Sequence, residues 1–219
     1  MSACCPQYSG RNNEEHLGIV RSSNLCAEIV QVASHQQPAV CALASVSLPC
    51  CVDDDGGFNF NRLFGLVKSV VFNTDKCVDI SQYPTTALAA AAHRTRALGI
   101  GVQGLADVFM MLRISFTSEG ARALNVAIFE TIYFASLEAS CDLAEDYGPY
   151  PAWEGSPASR GILQVDMWGV VPSNRHDFGQ LRARIRRYGL RNSVVTALMP
   201  TASTSKLMGN FGSLEPYTR

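Results

Sequence analysis

The spacing of hydrophobic residues divides the chain into predicted strands and helices. Residues 18–20 and 25–32 are short apolar stretches, and a polar loop over 34–38 leads into a further apolar run over 39–48. Runs of this length, bounded by turn-forming residues, predict extended strands. Residues 1–17 are polar and irregular and predict a surface loop, so ordered structure is expected to begin near Gly18.

Longer segments show a helical period. After a turn at residues 53–57, apolar residues recur every three or four positions over 60–71 and predict a core helix, and the Ala-rich stretch 87–92 predicts another. Thr117 and Ser118 are suited to cap a long helix that runs to about Tyr147, where Gly148 and Pro149 end it. Residues 152–172 are predicted to be loop, 181–188 a basic helix with a solvated face, and 192–199 a buried strand.

An amide, a thiol and a carboxylate stand at alternate positions in the stretch before the first loop: Asn24, Cys26 and Glu28. In an extended segment residues two apart share a face, so the three side chains are expected to point at one small volume. A carboxylate takes up a proton, an amide holds a hydroxyl, and a thiol does nucleophilic or one-electron chemistry. A single cysteine is most often a small buried hydrophobe, but Asn and Glu are rarely buried without partners. The row therefore indicates a polar site.

A second thiol, Cys41, follows Cys26 in the next apolar run. The loop 34–38 turns the chain from the first run into the second, so the two thiols lie on neighbouring predicted elements. We expect them to serve one pocket.

A hydroxyl-rich turn follows the last predicted strand. It consists of Thr201, Ala202, Ser203 and Thr204, with Lys206 just beyond. A turn of this kind at a helix start offers backbone N–H groups, hydroxyl donors and the positive end of the helix dipole, all of which favour a phosphate. An ordinary Ser/Thr helix cap explains the same residues equally well.

A Gly-rich motif occupies residues 99–104 and matches the pattern G-x-G-x-x-G. A dinucleotide fold also needs an acidic residue that closes a second strand about 20 residues further on. Glu119 stands there instead at the start of a predicted helix. A tight turn with close helix packing is therefore favoured over a dinucleotide site.

Composition narrows the class of protein. The 219 residues carry a net charge of -1, which implies no general attraction to nucleic acid or to an anionic membrane. The eight cysteines are scattered, and the vicinal pairs Cys4-Cys5 and Cys50-Cys51 lack the spacing of a zinc site, so neither a disulfide scaffold nor a metal centre is expected. No apolar run is long enough to span a membrane, and reduced thiols in a cytoplasmic setting are favoured.

Six short motifs stand in a fixed order along the chain. They are Ser23-Asn24-Leu25-Cys26-x-Glu28-Ile29, Val40-Cys41-x-Leu43-Ala44-Ser45, Gly99-Ile100-Gly101-Val102-Gln103-Gly104-Leu105-Ala106-Asp107, Tyr147-Gly148-Pro149-Tyr150, Glu154-Gly155-Ser156-Pro157 and Met199-Pro200-Thr201-Ala202-Ser203-Thr204. In order and spacing they resemble the large subunit of class I ribonucleotide reductase of the eukaryotic and viral type. The resemblance extends from about residue 18 to Thr218, and so many motifs together are highly specific.

The resemblance implies a fold. The family fold is an α/β structure, a ten-stranded α/β barrel whose centre is filled by a finger loop that carries the radical cysteine. Residues 18–219 are expected to be part of this catalytic barrel, residues 1–17 an irregular N-terminal segment, and residues 24–28 the finger loop.

The resemblance also implies residue roles. Cys26 is expected to be the thiyl radical that removes the ribose 3′ hydrogen, Glu28 the base on the 3′ hydroxyl, and Asn24 the amide that holds the sugar hydroxyls. Cys41 is expected to be one of two reducing thiols, and the turn 201–204 is expected to hold the diphosphate. These residue types suit the tasks, because a carboxylate eases loss of a hydroxyl proton and a dithiol supplies two electrons when it becomes a disulfide.

For the whole protein, the resemblance implies reduction of ribonucleoside diphosphates to deoxyribonucleoside diphosphates for DNA synthesis. Such a protein forms a homodimer in the cytoplasm, responds to ATP and dNTP effectors, takes a radical from a metal-containing small subunit and is reduced by thioredoxin or glutaredoxin. No cofactor is expected on residues 1–219 themselves, and neither DNA nor a membrane is an expected partner.

The family also has parts that are expected outside this sequence. The second reducing cysteine, the effector-specificity site and an ATP cone lie upstream in the family, and a tyrosine relay and a mobile cysteine pair lie downstream. We therefore expect a middle piece of a longer chain that is inactive when isolated. Ala42 and residues 209–212 depart from the family pattern. The alternative is a catalytically inactive descendant that binds a nucleotide or a partner, although retention of the Asn24, Cys26, Glu28 and Cys41 set argues against it.

Overall fold

The structure is a computed structural model that describes residues 10–217. The Cys4-Cys5 pair, the first nine residues of the predicted N-terminal loop and the last two residues lie outside the described residues. The helices in the described part are α1 (Phe60–Ile80), α2 (Thr86–Thr95), α3 (Leu105–Met111), α4 (Glu119–Tyr147), α5 (Gln164–Met167), α6 (Phe178–Tyr188) and α7 (Thr204–Met208), and the strands are β1 (Ala42–Ser47) and β2 (Leu98–Gln103). Short 3-10 turns occur at Glu15–Leu17, Leu48–Cys51 and Ala158–Arg160.

The two strands pair in parallel, in a register that runs from Ala42 opposite Leu98 to Ser47 opposite Gln103. Parallel neighbours need a long crossover, and α1 and α2 provide it between β1 and β2. All six residues of β2 are buried. The described residues thus form a mixed α/β unit, whereas the ten-stranded barrel and its finger loop remain predictions.

The predicted strand over 192–199 is wrong as a regular element. Its residues run beside β2, where the N–H groups of Leu98 and Ile100 donate to the carbonyls of Val194 and Val195 at 2.9 Å each. Only one isolated parallel bridge, between Ile100 and Thr196, has ladder geometry. The segment is extended and tied to the sheet, but its hydrogen bonds do not keep a constant register.

The Gly-rich motif forms β2 and its exit rather than a dinucleotide turn. A Cβ on Gly99 would lie 2.5 Å from Leu43 Cδ2 and 2.8 Å from the Ala197 Cβ, so this position has no room for a side chain. The tight turn is confined to Gly104, which has a φ of 79° and stands at the start of α3. The close packing predicted for this motif is therefore chiefly packing of strand β2 against its neighbours. The prediction of close helix packing is wrong in this respect.

Helices α1 and α4 form the main core layer, as their periodicity predicted. Leu63, Val67 and Val71 of α1 are fully buried with Ile128 and Ile132 of α4 and the inner residues of β2. Ser118 caps α4, its hydroxyl accepting from the Ala121 N–H at 3.1 Å. The sequence therefore located both long helices correctly, and α1 extends a further nine residues beyond the clear period.

Several boundaries differ from prediction. Residues 18–32 contain no strand and follow an irregular path. β1 begins at Ala42 and ends at Ser47, because the 3-10 turn Leu48–Cys51, which contains Pro49, follows it directly. The basic helix α6 begins at Phe178, where Asp177 accepts from the Gln180 N–H at 2.8 Å. Its arginines are not simply solvated, since Arg184 pairs with Asp142 of α4 at 2.8 Å.

Candidate active site

A cavity of about 1040 Å³ brings together three of the four predicted catalytic residues. Cys26, Glu28 and Cys41 all line it, among mostly apolar side chains from α4, from residues 162–172 and from residues 190–198. Asn24 and the turn 201–204 do not line it. The two thiols thus open into one cavity, and the predicted phosphate turn is a separate feature.

The segment that carries Cys26 is a turn and not a strand. The Ala27 N–H donates to the Asn24 carbonyl at 3.1 Å, and Ala27 takes a left-handed φ of 63°. The Asn24 Oδ1 accepts from the Ile29 N–H at 3.0 Å and so closes the turn. Alternate positions therefore do not share a face here, and the expectation that Asn24 points with Cys26 and Glu28 into one volume is wrong. Tight closure of the chain around Asn24 is the physical reason.

Exposure is high at the tip of this turn. Leu25 is 100% exposed, and Cys26 and Asn24 are also exposed. Glu28, by contrast, is half-buried, and its Oε2 is buried without a hydrogen bond from any described residue. A buried carboxylate oxygen without a donor calls for an explanation, and a ligand hydroxyl is one.

Cys41 lies immediately before β1 and is half-buried. Burial, and to a smaller extent the negative charges of Glu14 and Glu28, together raise the pKa of its thiol to about 12. The group therefore stays a neutral thiol throughout the physiological range. A neutral thiol holds its hydrogen and is a poor nucleophile, which suits a reductant that must react only with its intended partner.

The predicted phosphate turn leads into a helix, as expected, but α7 has only five residues. Ala202, Ser203 and Thr204 are exposed. Thr201 is buried with a left-handed φ of 57°, and its Oγ1 accepts from the Ser213 N–H at 2.8 Å. Ser203 and Thr204 are thus accessible to solvent, while the buried Thr201 anchors the turn through its hydrogen bond with Ser213.

Asp107 holds the segment that follows α7, and it was not among the residues predicted for the site. Its carboxylate accepts from the Phe211 N–H at 2.8 Å and from the Tyr217 hydroxyl at 2.6 Å. The Gly104 N–H donates to the Phe211 carbonyl at 2.8 Å, and Asn210 Nδ2 donates to Ser47 Oγ at 2.7 Å. The available signal was the position of Asp107 at the end of the Gly-rich motif.

A second missed group lies at the N-terminus. Asn12 and Glu14 are buried, so the prediction of a surface loop is wrong for residues 12–14. The reason is that their polar atoms are paired with the rest of the molecule, Glu14 with Ser193 and Gln31 among others. Consecutive polar residues gave no hydrophobic pattern by which to detect this burial.

Residues 10–217 show neither a metal-binding cluster nor a membrane-spanning helix. No group of three or more His, Cys, Asp or Glu side chains in this part of the chain is arranged to hold a metal ion. Nor does any helix there combine the length and hydropathy needed to cross a bilayer.

Comparison with known proteins identifies the class. Residues 9–219 match the family described as ribonucleotide reductase, barrel domain. The chain therefore belongs to the ribonucleotide reductase barrel-domain family.

Individual relatives are large chains of one enzyme. The ribonucleoside-diphosphate reductase large chain of Neurospora crassa is 48% identical over 209 residues, which are 95% of this chain and 22% of the relative. The corresponding large chain of Schizosaccharomyces pombe is 49% identical over 208 residues, 95% of this chain and 26% of the relative. The large subunit of Vaccinia virus is 51% identical over 208 residues, 95% of this chain and 27% of the relative. This chain thus spans about a quarter of the length of the relatives it matches.

Proposed function

We propose that this chain is the central catalytic segment of a ribonucleoside-diphosphate reductase large subunit. The observation that carries the proposal is the buried, unpaired Oε2 of Glu28 in a cavity that two thiols, Cys26 and Cys41, also line. An acceptor without a donor, beside two sulfur atoms, is suited to receive a ribose hydroxyl. The identity to reductase large chains supports the same assignment.

The proposed roles follow from the chemistry of each side chain. Cys26, as a thiyl radical, removes the 3′ hydrogen atom of the ribose and becomes a thiol. Glu28 accepts the proton of the 3′ hydroxyl, which eases loss of the neighbouring hydroxyl. The neighbouring hydroxyl leaves as water, and Cys41 and a second cysteine supply two electrons and two protons and become a disulfide. Cys26 then returns its hydrogen atom to the 3′ carbon and is again a thiyl radical. Asn24 is given a structural role instead of a substrate contact, because its Oδ1 closes the Cys26 turn and it does not line the cavity.

The turn of Thr201, Ala202, Ser203 and Thr204 is proposed to bind the diphosphate. Its exposed hydroxyls and the backbone at the start of α7 support this role, and Lys206 adds a positive charge nearby. The turn lies outside the thiol cavity, so diphosphate binding and radical chemistry are assigned to different groups of residues.

The proposed partners belong to the whole protein. They are a small subunit that generates the radical, a second large subunit, ATP and dNTP effectors, and thioredoxin or glutaredoxin as reductant. The proposed compartment is the cytoplasm, with no role for DNA or a membrane.

The test uses the complete protein that carries this segment, supplied with a small subunit, an effector and a reductant. Formation of dCDP from CDP is the expected result, and Cys26→Ser is expected to abolish it. Cys77→Ser is the matched control, because Cys77 is an exposed thiol of α1 that does not line the cavity. Turnover that survives Cys26→Ser would overturn the assignment, and CDP binding by a wild-type protein without turnover would support the inactive descendant instead.

A further inference from the structure

The carboxylate of Glu14 is buried, with 1% of the residue exposed. Oε1 accepts from Ser193 Oγ at 2.8 Å and from Gln31 Nε2 at 3.2 Å, and Oε2 accepts from the Val32 N–H at 3.0 Å. All three partners donate. A buried carboxylate that receives three donors is held in one position.

The two residues before Glu14 extend these contacts. The Asn12 Oδ1 accepts from the Glu14 N–H at 2.8 Å, and its Nδ2 donates to the Val30 carbonyl. Asn13 Nδ2 donates to the Ser193 carbonyl at 2.7 Å, and Asn13 Oδ1 accepts from the Ala158 N–H at 2.9 Å. Residues 12–14 thus join three segments that are far apart in sequence, and we refer to them as the N-terminal clamp.

The segment held by the clamp connects the two thiols. Val30, Gln31 and Val32 lie between the turn that carries Cys26 and Glu28 and the start of β1, where Cys41 stands. Asn12, Asn13, Gln31 and Ser193 line the same cavity as the thiols. The clamp therefore forms part of the wall into which both thiols open.

We propose that Glu14 is a positioning residue of the thiol site, which ties the segment after Glu28 to Ser193 and so fixes Glu28 and Cys41 on one wall of the cavity. The inference rests on the proposed function for its kinetic part. Glu14 also places a negative charge near Cys41. Burial is the main cause of the raised pKa of Cys41, and the charges of Glu14 and Glu28 raise it as well.

The decisive variant is Glu14→Gln, which keeps the volume of the side chain but turns one acceptor into a donor. Because the partners of Glu14 donate, at least one hydrogen bond of the clamp is lost. Glu15→Gln is the matched control, since Glu15 is the neighbouring carboxylate but pairs with Arg160 at 2.6 Å, away from the thiols. Both variants are made in the complete protein.

Two measurements are combined. The first is kcat and KM for CDP reduction. We expect Glu14→Gln to lower kcat by roughly tenfold or more with little change in KM, because small displacements of reacting groups have large effects on rate. The second is the rate at which iodoacetamide alkylates Cys41, followed by peptide mass spectrometry as a function of pH. Loss of the Glu14 charge is expected to move this profile to lower pH.

The outcomes separate the two proposals. Identical kcat values and identical Cys41 profiles for Glu14→Gln and Glu15→Gln would overturn the role of Glu14. A shifted Cys41 profile with an unchanged kcat would also overturn the positioning role of Glu14. Its charge would then affect the pKa of Cys41 without affecting the rate of the reaction. A wild-type protein that reduces no CDP would overturn the proposed function, and an unshifted Cys41 profile would still count against Glu14.

Discussion

Gly101 of β2 and Ala197 approach each other so closely that a Cβ on Gly101 would lie 2.4 Å from the Ala197 carbonyl oxygen. The same Cβ would lie 2.8 Å from Met199 Sδ. The irregular segment 194–199 can therefore lie against β2 only because this strand position lacks a side chain. That segment leads directly to Thr201, so the close approach also determines where the phosphate turn begins.

Gly101→Ala is expected to destabilise the protein. The added methyl group has a backbone atom in its way, and overpacking of this kind costs about 1–3 kcal/mol. Gly65→Ala is the matched control, because Gly65 lies in α1 with nothing within 4 Å of its Cβ position. There the substitution is expected to be neutral or to stabilise by about 0.5–1 kcal/mol. Urea unfolding measures both, and equal effects of the two variants would contradict the steric argument.

Substrate affinity and radical chemistry are expected to separate by mutation. In the complete protein, Cys26→Ser should abolish turnover while leaving the affinity for CDP nearly unchanged, because Cys26 lies in a cavity that the phosphate turn does not line. Replacing Ser203 and Thr204 by Ala should weaken CDP binding by about 0.5–1.5 kcal/mol for each neutral hydrogen bond lost. Equilibrium binding of CDP to both variants is the test, and the reverse pattern would show that the two roles are exchanged.

Asp107 is expected to determine how firmly the phosphate turn is held. Asp107→Ala removes the carboxylate to which the Phe211 N–H and the Tyr217 hydroxyl donate. A hydrogen bond to a charged group contributes about 1.5–3 kcal/mol to stability. Faster hydrogen exchange at Phe211 and weaker CDP binding should follow. Asp107→Asn keeps one acceptor oxygen and is expected to recover part of both. Exchange at Phe211 that is unchanged in Asp107→Ala would rule out the support role.

The stability of the protein is expected to fall as pH rises above about 9, in part through Cys41. The thiol has an ordinary pKa of 9.0 in the unfolded chain and about 12 when folded. Between these values the unfolded state binds fewer protons than the native state, so the free energy of unfolding decreases with pH. Cys41→Ser should remove this contribution and flatten the decrease between pH 9 and 12. An unchanged slope in denaturant unfolding across that range would contradict the shifted pKa.

The long helices were predictable because their cores repeat with a fixed period. Leu63, Val67 and Val71 mark one face of α1 in the sequence and are fully buried in the structure. The strand predicted over 25–32 failed for a local reason. Its apolar residues fit a strand, but the hydrogen bond between the Asn24 side chain and the Ile29 N–H favours a turn. The hydrophobic pattern does not show a side-chain hydrogen bond that competes with strand formation.

The residues of the candidate site could be predicted where the side chain itself implied a chemical role. They could not be predicted where the role depends on hydrogen-bond partners far away in sequence. Cys26, Glu28 and Cys41 were found from their side chains, and the structure places all three on one cavity. Glu14 and Asp107 are ordinary acidic residues in sequence. Their importance comes from donors at Ser193 and Tyr217, more than a hundred residues away along the chain. Contacts of that separation cannot be inferred from local pattern.

The walls of the thiol cavity come from segments that are widely separated along the chain, and this has a consequence for folding. Closing a long loop costs entropy before its contacts repay it, so the pairing of residues 194–197 with β2, and of Ser193 with Glu14, is expected late. The helical layer of α1 and α4 contains more local structure and is able to form earlier. Cys41 is half-buried in the folded protein, whereas Cys26 is exposed there as well. A chain still being made would therefore expose Cys41 until residues 193–197 have emerged and docked, and Cys41 is most open to unwanted oxidation in that interval.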